Sequence, residues 1–438
     1  MEVTTIEYIY QLFLTCQQKI TTDTRKLELG SIFFALKGDN FNANGFAQNA
    51  IEGGCSYAIV DDESIANGNT LLYVKDVLES LQLLAKYHRS LLKIPVIGIT
   101  GSNGKTTNKE LIHAVLSKKY NTYATKGNLN NHIGVPLTLL AITSKHQMAI
   151  VEMGANHQGE IELLSNISDP DFGLITNIGK AHLEGFGGEE GVKKGKSELY
   201  KHIKLKNGKL FINADDETLL NLSGDIEKIT YGLKDEYDVY GTLITGSEFV
   251  DFKWNTKFLS LENVEIIKTN LFGHYNFINV LCAACIGHYF EVETKDINQA
   301  LSEYMPEMNR SQVKKTDNNT LILDAYNANP TSMHLAIDHF IKQNFKFKLV
   351  LLSDMLELGD YSNLEHEIIL NQISAHDTIN AIFVGVLFYE HKNKFPQYQF
   401  FMNGEDASVY LKKQNFKQYN ILIKGSRGGK LEKLVEYL

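Results

Sequence analysis

The sequence is short of cysteine, proline and tryptophan, with four, six and one of these residues among 438. Four cysteines are too few for a disulfide framework in a chain of this length, which excludes a disulfide-stapled secreted scaffold. With so few prolines and no low-complexity segment, no linker marks where one domain ends and the next begins. We see no N-terminal signal pattern and no long apolar run, so we expect a cytoplasmic protein without a membrane partner.

The chain also has fewer basic than acidic residues. It contains 43 Lys and Arg residues and 52 Asp and Glu residues, which gives a net charge of -9. This balance argues against a general nucleic-acid binder and against a protein that binds anionic membranes. The hydrophobic share of 43% and the charged share of 22% are ordinary for a globular protein. A chain of this length divides into two or three domains, each with its own core. We expect a monomer.

Two of the cysteines, Cys282 and Cys285, form a C-x-x-C string within VLCAACIGHYF. The string is rich in alanine and follows a helical pattern, in which a spacing of three residues places both thiols on one buried face. A redox or metal pair is the alternative. We favour core cysteines, because no second Cys or His pair accompanies them.

What the sequence does have is a Gly-rich turn between an apolar strand and a helix, in IPVIGITGSNGKTT at residues 94–107. The backbone N–H groups of such a turn converge on an anion, and the helix adds its positive N-terminal end. Lys105 can reach the β- and γ-phosphates of a nucleoside triphosphate, and the Thr106 hydroxyl can bind Mg²⁺. The general phosphate-loop pattern is only nearly met, because it requires Gly where this chain has Ile99. The residues of the turn that are predicted to bind the nucleotide are Gly101, Ser102, Asn103, Gly104, Lys105, Thr106 and Thr107.

Strand and helix patterns alternate along the whole chain, which predicts an α/β protein of three domains. Residues 1–85 are predicted to form a small α/β unit. Residues 86–304 are predicted to form a unit on a mostly parallel sheet with right-handed crossovers. Residues 305–438 hold four strand patterns separated by helical runs, namely LILDAYNANP, FKLVLLSDM, AIFVGV and NILIKGS.

Two residues of the middle unit stand at predicted strand ends, where the active groups of parallel sheets collect. Glu152 directly follows an apolar run, and His182 comes after LITNI with the Gly-rich string GFGGEEG behind it. Either residue alone is more often structural, but both fall where Mg²⁺ at the phosphate loop would need ligands. Lys196 lies in KKGKSELY, a string whose composition is typical of a charged surface segment.

Polar side chains in the two outer units are further candidates. In the first unit, the cations Arg25 and Lys37 could meet a phosphate. Residues of that unit that could hydrogen-bond a sugar or a base are Asp23, Thr24, Asn42 and Asn44. A solvated loop is the alternative for each of them. The polar residues at the strand ends of the last unit are Asp324, Asn327, Asn329, Asp354, Glu357, His366, Lys424, Ser426 and Arg427.

A series of strings along the chain together resembles the Mur ligase family, and within it the MurF type. In chain order they are TGSNGKTT, GNLNNHIGVPLTLL, VEMGANHQGEI, TNIGKAHLEGFG, GKSELY, GHYNFINVLCAA, LDAYNANPTSM, LSDMLELGD and IKGSRGGKLE. The likeness covers nearly the whole chain. YNANP and DMLELGD are specific to the MurF type, and the DNPR string of the MurE type is absent.

The resemblance implies a ligase that uses ATP to join D-alanyl-D-alanine to UDP-N-acetylmuramoyl-tripeptide through an acyl phosphate, in peptidoglycan precursor synthesis. It implies an N-terminal domain for the UDP-sugar, a central ATP-binding domain and a Rossmann-like C-terminal domain that closes over the site. By the same resemblance, Thr106 and Glu152 hold one Mg²⁺, and His182 with a carbamylated Lys196 holds a second. A carbamate presents anionic oxygens, whereas an ammonium repels the cation.

The resemblance also implies individual contacts. The residues implied around the adenosine and phosphates of ATP are Asn131, Asn276, Asn279, Arg310 and Asp324. The residues implied to contact UDP are Thr24, Arg25 and Lys37. At Asn44 the chain departs from many relatives, which have His there, and this loosens the assignment of the sugar site. The C-terminal candidates for the dipeptide site are Asn327, Asn329, Asp354, Glu357 and His366, of which the last three are candidate bases for the incoming amine.

Two other functions remain open at this point. A sister ligase such as a folylpolyglutamate synthase shares the ATP site but would lack YNANP. A nucleotide-gated binding protein or scaffold could dispense with Glu152, His182 and Lys196 and with a third domain rich in polar strand ends. The presence of all of these favours a ligase. The sequence leaves open whether the third peptide residue is of the meso-diaminopimelate type or lysine.

Overall fold

The computed structural model describes residues 3–38 and 40–438. The first part of the chain forms a parallel sheet in the order β1, β2, β5, β6, with β3 and β4 as a separate antiparallel ribbon. Its helices are α1 (Ile6–Thr15), α2 (Ala47–Glu52) and α3 (Val77–Leu91). Its strands are β1 (Ile20–Thr21), β2 (Ile32–Phe34), β3 (Lys37–Gly38), β4 (Phe41–Asn42), β5 (Tyr57–Val60) and β6 (Leu71–Tyr73).

The middle part forms a nine-stranded sheet in the order β15, β14, β13, β12, β11, β10, β7, β9, β8. Its strands are β7 (Val96–Thr100), β8 (Thr122–Ala124), β9 (Met148–Glu152), β10 (Phe172–Ile175), β11 (Lys209–Asn213), β12 (Lys228–Gly232), β13 (Val239–Ile244), β14 (Phe249–Thr256) and β15 (Ile267–Phe272). Its helices are α4 (Lys105–Leu116), α5 (Gly134–Leu140), α6 (Glu160–Ser168), α7 (Leu183–Phe186), α8 (Glu189–Lys196), α9 (Glu198–Leu205), α10 (Glu217–Ser223), α11 (Phe277–Tyr289) and α12 (Thr294–Glu303).

The pairing in this sheet is parallel from β8 to β13 and antiparallel from β13 to β15. Strand β7 is buried along its whole length, because helices cover both faces of a parallel sheet, and its residues are therefore a continuous apolar run. The prediction of a mostly parallel sheet is confirmed. On α11, Cys282 and Cys285 are fully buried in the core, as we expected.

The last part forms a six-stranded sheet in the order β16, β17, β21, β18, β19, β20, in which only the β16 pairing is antiparallel. Its strands are β16 (Gln312–Lys315), β17 (Thr320–Asp324), β18 (Lys348–Ser353), β19 (Ile379–Val384), β20 (Gln399–Phe401) and β21 (Asn420–Lys424). Its helices are α13 (Pro330–Lys342), α14 (Ser362–Ser374), α15 (Val386–Tyr389) and α16 (Gly404–Leu411). The four strands that the sequence indicates are present, and two short edge strands add to them.

Helix α3 links the first and middle parts. It begins after Asp76, whose carboxylate accepts the Glu79 N–H at 2.7 Å and so caps the helix. Its residues pack against α1 in the first part and against α5 and α6 in the middle part. The predicted boundary at residue 85 falls inside this helix, since one continuous helix serves two cores. No helix among the described residues is long and apolar enough to cross a membrane.

Candidate active site

The Gly-rich turn lies at the carboxyl end of β7 and leads directly into α4. Gly101 has φ 140° and Gly104 has φ 78°, a region that favours glycine. A Cβ at Gly101 would lie 2.0 Å from Thr176 Oγ1, so a side chain has no room there. Because Gly104 precedes the first helical residue, the free N–H groups of the first turn of α4 lie at the loop.

Asn177, which follows β10, anchors the turn from the neighbouring strand. Its Oδ1 accepts the Asn103 N–H at 3.0 Å, and its Nδ2 donates to the Asn103 carbonyl at 3.0 Å. The Ser102 N–H donates to the Asn177 carbonyl at 3.0 Å. These bonds fix the backbone of the turn before any ligand binds. Asn177 was not among the residues expected from the sequence.

The Lys105 ammonium is folded onto the turn that it follows. Its Nζ donates to the Gly101 carbonyl at 2.6 Å and to the Ser102 carbonyl at 3.2 Å. Burial lowers the pKa of Lys105 to about 8, against the opposing attraction of Glu152. The cation is therefore held at the turn.

Glu152 ends β9 and points at the first turn of α4. The Thr106 hydroxyl donates to both of its carboxylate oxygens, at 3.1 and 3.0 Å. Asn130 Nδ2 donates to Oε1 at 2.8 Å, and Lys109 Nζ lies 3.9 Å from Oε2. The Glu152 side chain is 1% exposed, and the Lys109 side chain is fully buried. A carboxylate this deeply buried needs such donors and a nearby cation.

Lys109 and Asn130 were missed from the sequence, although each has a signal there. Lys109 follows Thr106 by three residues on one helix, so both side chains project from the same face. Asn130 is the neighbour of Asn131, which we expected at the site. Asn131 lines the cleft at the start of α5, where its Oδ1 accepts the Gly134 N–H at 2.8 Å.

Lys196 is fully buried at the last residue of α8, which contradicts the surface interpretation of its string. Its Nζ donates to the Ala155 carbonyl at 3.1 Å and lies 4.9 Å from the centroid of the Phe186 ring. Burial lowers the pKa of Lys196 well below that of a free lysine, and the charge of Lys105 lowers it further. Both effects shift Lys196 towards the neutral amine.

His182 stands just before α7, with φ 54°, and its ring reaches the C-terminal part of the chain. Its Nδ1 contacts the Glu357 carboxylate, and the Glu184 N–H donates to the Glu357 carbonyl at 3.3 Å. Two segments far apart in sequence therefore meet here through both backbone and side chain. Glu357 was expected at the dipeptide site, and the structure places it against His182.

The carboxyl ends of the middle and last sheets face one cleft of about 610 Å³. The predicted residues that line it are Ser102, Asn103, Gly104, Lys105, Thr106, Thr107, Asn131, Glu152, His182, Asn276, Asn279, Arg310, Asp324, Asn327, Asn329 and Lys424. Lys196 is buried in the middle part and is not among the lining residues. The structure thus brings most of the predicted site together from two domains.

An amide chain and a stacked arginine form one wall of this cleft. Asn108 Nδ2 donates to Asn279 Oδ1 at 2.7 Å, and Asn279 Nδ2 donates to Asn276 Oδ1 at 2.9 Å. The Arg310 guanidinium carbon lies 3.7 Å from the centroid of the Tyr326 ring, a cation–π contact. Tyr326 was missed from the sequence, where it appeared only as one letter of YNANP.

Two C-terminal candidates are engaged elsewhere. The Asp354 carboxylate accepts the Leu387 and Phe388 N–H groups at 3.1 and 3.0 Å, at the start of α15. The His366 ring is fully buried, and its Nε2 accepts the Met355 N–H at 3.0 Å. Burial lowers the pKa of His366. Neither side chain lines the cleft.

The N-terminal candidates lie outside the cleft and are held by local ion pairs. Arg25 bonds the Asp23 carboxylate at 2.8 Å, and Lys37 lies 2.8 Å from Asp61. Asn44 Nδ2 donates to the same Asp61 carboxylate at 2.6 Å. Thr24 lies next to Arg25 in the same loop, half-buried.

The model of the Mur ligase middle domain matches residues 99–287. A UDP-N-acetylmuramoyl-tripeptide–D-alanyl-D-alanine ligase of Bacillus subtilis is 36% identical over 96% of this chain and 92% of its own length. The chain belongs to the Mur ligase family, in its MurF branch. This confirms the resemblance of the sequence strings over the sister-ligase alternative.

Solved structures of this branch share the fold. MurF from Acinetobacter baumannii superposes with a TM-score of 0.86 at 30% identity, over 100% of this chain and 98% of that one. MurF from Thermotoga maritima, solved in complex with ADP, has a TM-score of 0.82 at 23% identity, over 96% and 97% of the two chains. The three-domain Mur ligase fold is therefore confirmed.

Proposed function

We propose that this Mur ligase uses ATP to join D-alanyl-D-alanine to UDP-N-acetylmuramoyl-tripeptide, as a cytoplasmic monomer in peptidoglycan precursor synthesis. The observation that carries the proposal is the shared cleft, in which the phosphate loop and Glu152 face the polar strand ends of the last sheet. The substrates are those in the name of the B. subtilis relative. We assign residues 1–85, 86–304 and 305–438 to the UDP-sugar, ATP and ligase domains.

The phosphate loop and the cleft wall are suited to bind ATP. The N–H groups of the turn, the N-terminus of α4 and Lys105 offer positive charge to the phosphates. Among the described residues, Asn103 Nδ2 and Arg310 Nε are buried donors without a partner, and both residues line the cleft. Unpaired buried donors are costly, and phosphate oxygens would satisfy them. Asn276, Asn279 and Asp324 complete the proposed ATP contacts.

The residues around Glu152 fit a magnesium ion. No group of three His, Cys, Asp or Glu side chains in the described chain is placed to hold a metal. Mg²⁺ at a nucleotide site usually takes one or two protein carboxylates and fills its other positions with phosphate oxygens and water. Glu152 with the Thr106 hydroxyl would hold it, and the ion would neutralise charge on the γ-phosphoryl group.

Lys196 is proposed to carry a carbamate. Burial shifts its amine towards the neutral form, which is the form whose lone pair can attack CO₂. The attack forms a C–N bond, and the nitrogen releases one proton. The product is an anion with two oxygens in place of a cation. With His182, it would supply ligands for a second Mg²⁺, as in the resemblance.

The reaction requires no nucleophile from the protein. The peptide carboxylate attacks the γ-phosphorus, ADP leaves, and an acyl phosphate results. The amine of the dipeptide then attacks the activated carbonyl, phosphate leaves, and a base takes the proton of the amine. Of the three candidate bases, only Glu357 reaches a residue that lines the cleft, His182. This favours Glu357 over Asp354 and His366.

The N-terminal residues Thr24, Arg25 and Lys37 are proposed to bind the UDP group. The two cations are exposed and could exchange their carboxylate partners for a diphosphate. Asn44 donates to Asp61, the carboxylate that also pairs with Lys37.

A coupled assay of ADP release tests this function. The enzyme is given ATP, Mg²⁺ and a UDP-muramoyl tripeptide that ends in meso-diaminopimelate or in lysine. D-Alanyl-D-alanine should then drive ADP release, whereas glutamate or diaminopimelate alone should not. Comparable release with a single amino acid would overturn the proposal in favour of a sister ligase. The two tripeptides identify the third residue.

A further inference from the structure

Arg427 is a cation that does not itself line the cleft but lies next to Tyr326 of its wall, and the functions proposed so far do not use it. It directly follows Ser426 after β21 and begins a short 3₁₀ helix, Arg427–Gly429. Its side chain is exposed and makes no ion pair or hydrogen bond within the described chain. Its guanidinium carbon lies 5.7 Å from the centroid of Tyr326, whose ring lines the cleft.

Three other cations line the cleft, and each already has a partner or a proposed role. Lys424 Nζ donates to the Asp324 carboxylate at 2.5 Å. Arg310 is stacked on Tyr326 at 3.7 Å, and Lys105 donates to the carbonyls of its own turn. Lys105 and Arg310 are proposed to meet the phosphates of ATP, and Lys424 is paired with Asp324, so Arg427 is left to meet the anionic group of another ligand.

The loop that carries Arg427 is fixed by its neighbours. The Leu356 N–H donates to Ser426 Oγ at 3.2 Å, and that hydroxyl reaches the Ala328 carbonyl at 3.5 Å. A Cβ at Gly425 or Gly429 would lie 1.9 or 2.3 Å from Ser353 Oγ, so the backbone lies directly on the end of β18. The position of the Arg427 backbone is thus set before a ligand arrives, which reduces the cost of binding.

An apolar side chain stands beside this cation. Leu356 is 46% exposed, and a Cβ at Gly428 would be 3.3 Å from its Cδ1. A carboxylate binder next to an exposed apolar side chain suits a small peptide that has methyl side chains and a free C-terminus. D-Alanyl-D-alanine has both.

We infer that Arg427 binds the terminal carboxylate of the incoming dipeptide, with Leu356 against its methyl groups, and so selects a dipeptide over a single amino acid. The inference rests on the proposed function and adds the acceptor contact to it. The amine and the carboxylate of an extended dipeptide are about 7 Å apart. The partner of the carboxylate therefore belongs at the rim of the cleft, away from the reacting carbonyl, and a guanidinium can bind it through two parallel hydrogen bonds.

The test compares D-alanyl-D-alanine with its C-terminal amide, D-alanyl-D-alaninamide, in the ADP-release assay. For the wild-type enzyme, we expect the KM of the amide to exceed that of the acid by about 10- to 100-fold. Arg427→Gln should raise the KM of the acid by a similar factor and leave that of the amide unchanged, so that the preference disappears. The KM values of ATP and of the UDP-tripeptide should not change.

Two matched variants sharpen this test. Lys430→Gln removes a positive charge from an exposed residue of the same loop and should keep the full preference for the acid. Arg427→Lys keeps the charge but loses the planar fork, so it should keep only part of the preference. Thermal unfolding of each variant should match that of the wild type, since both side chains are exposed.

The failure of this inference can be told from the failure of the proposed function. Absence of ligation by the wild-type enzyme with either tripeptide would overturn the function. Ligation that proceeds equally well with acid and amide would overturn only the inference. Three other results would also overturn the inference. The Arg427→Gln enzyme could keep its preference for the acid, or the Lys430→Gln enzyme could lose that preference instead. Arg427→Gln could also change the KM of the UDP-tripeptide alone.

Discussion

Asn329 Nδ2 donates a hydrogen bond to Asn103 Oδ1 at 2.7 Å and so joins the C-terminal domain to the phosphate loop. Asn329 is also the N-cap of α13, where its Oδ1 accepts the Ser332 N–H at 3.0 Å and the Ser332 hydroxyl pairs with the Asn329 backbone. One side chain thus caps the N-terminus of α13 and contacts the turn that is proposed to bind ATP. A shift in the position of the α13 N-terminus would therefore move or break the hydrogen bond to Asn103 in this turn.

The two roles of Asn329 can be separated by two substitutions. Asn329→Ser keeps an oxygen that can cap α13, so the free energy of unfolding should be nearly unchanged. The serine side chain is too short to reach Asn103, so the contact with the phosphate loop is lost. Asn329→Ala loses the cap as well and should cost about 1 kcal/mol of unfolding free energy. Both should weaken binding of a non-hydrolysable ATP analogue by about 2- to 10-fold. Denaturant unfolding and titration calorimetry measure these effects, and wild-type affinity in Asn329→Ser would contradict the role of the contact.

The lowered pKa of Lys105 predicts how nucleotide binding depends on pH. Burial lowers the pKa of Lys105 from 10.5 to about 8 in the folded protein, so the ammonium that attracts phosphate is lost as pH rises through 8. The kcat/KM for ATP, which reports the free enzyme, should fall above that pH. Lys105→Ala should remove ATP turnover while the protein stays folded. Unchanged ADP formation by Lys105→Ala would contradict the assignment of the loop.

The same shift predicts a stability effect of opposite direction. Between pH 8 and 10.5 the unfolded chain binds more protons at Lys105 than the folded chain does. The contribution of this group to stability therefore increases as pH rises through that window. The free energy of unfolding, measured with denaturant at pH 8 and at pH 10, should rise less, or fall more, between these pH values for Lys105→Ala than for the wild type.

Lys196→Ala should abolish ligation, because the proposed carbamate oxygens are lost. A short carboxylate such as acetate should partly restore activity by supplying oxygen ligands. Lys196→Arg should fail as badly as alanine, since a guanidinium stays cationic and does not add CO₂. Lys194→Ala, which changes an exposed lysine of the same helix, is the control and should stay active. A fully active Lys196→Arg enzyme would contradict the carbamate, and ¹³CO₂ labelling should give a carbamate NMR signal that Lys196→Ala lacks.

The C-x-x-C pair should behave as core and not as a redox or metal site. Cys282 and Cys285 are fully buried, and burial raises the pKa of Cys282 to about 12. Since the thiolate is the reactive form, a thiol reagent should label neither residue in the native enzyme and both after unfolding in guanidinium. Fast labelling of the pair under native conditions would contradict this prediction.

Local patterns were enough to predict the middle of the site. The strand, turn and helix around Lys105 could be predicted from neighbouring residues only. The apolar run, the two glycines of the turn and the start of the helix all lie within residues 94–107. Glu152 could be placed for the same reason, as the last residue of an apolar strand whose carboxyl end must lie at the active edge of a parallel sheet. The alternation of strands and helices likewise predicted the α/β class and four strands of the last sheet.

Only the tertiary structure decided which side chains meet. Asn177 contacts the phosphate loop because β10 is the neighbour of β7, and no local pattern states that order. Lys196 looked like surface charge among other lysines, yet the packing of α8 buries it completely. Asp354 follows β18 and His366 lies within α14, where nearby backbone N–H groups bond both side chains outside the cleft. Burial and long-range pairing depend on how whole elements pack, since a residue's environment is made by segments far away in the chain, as the contact of His182 with Glu357 shows.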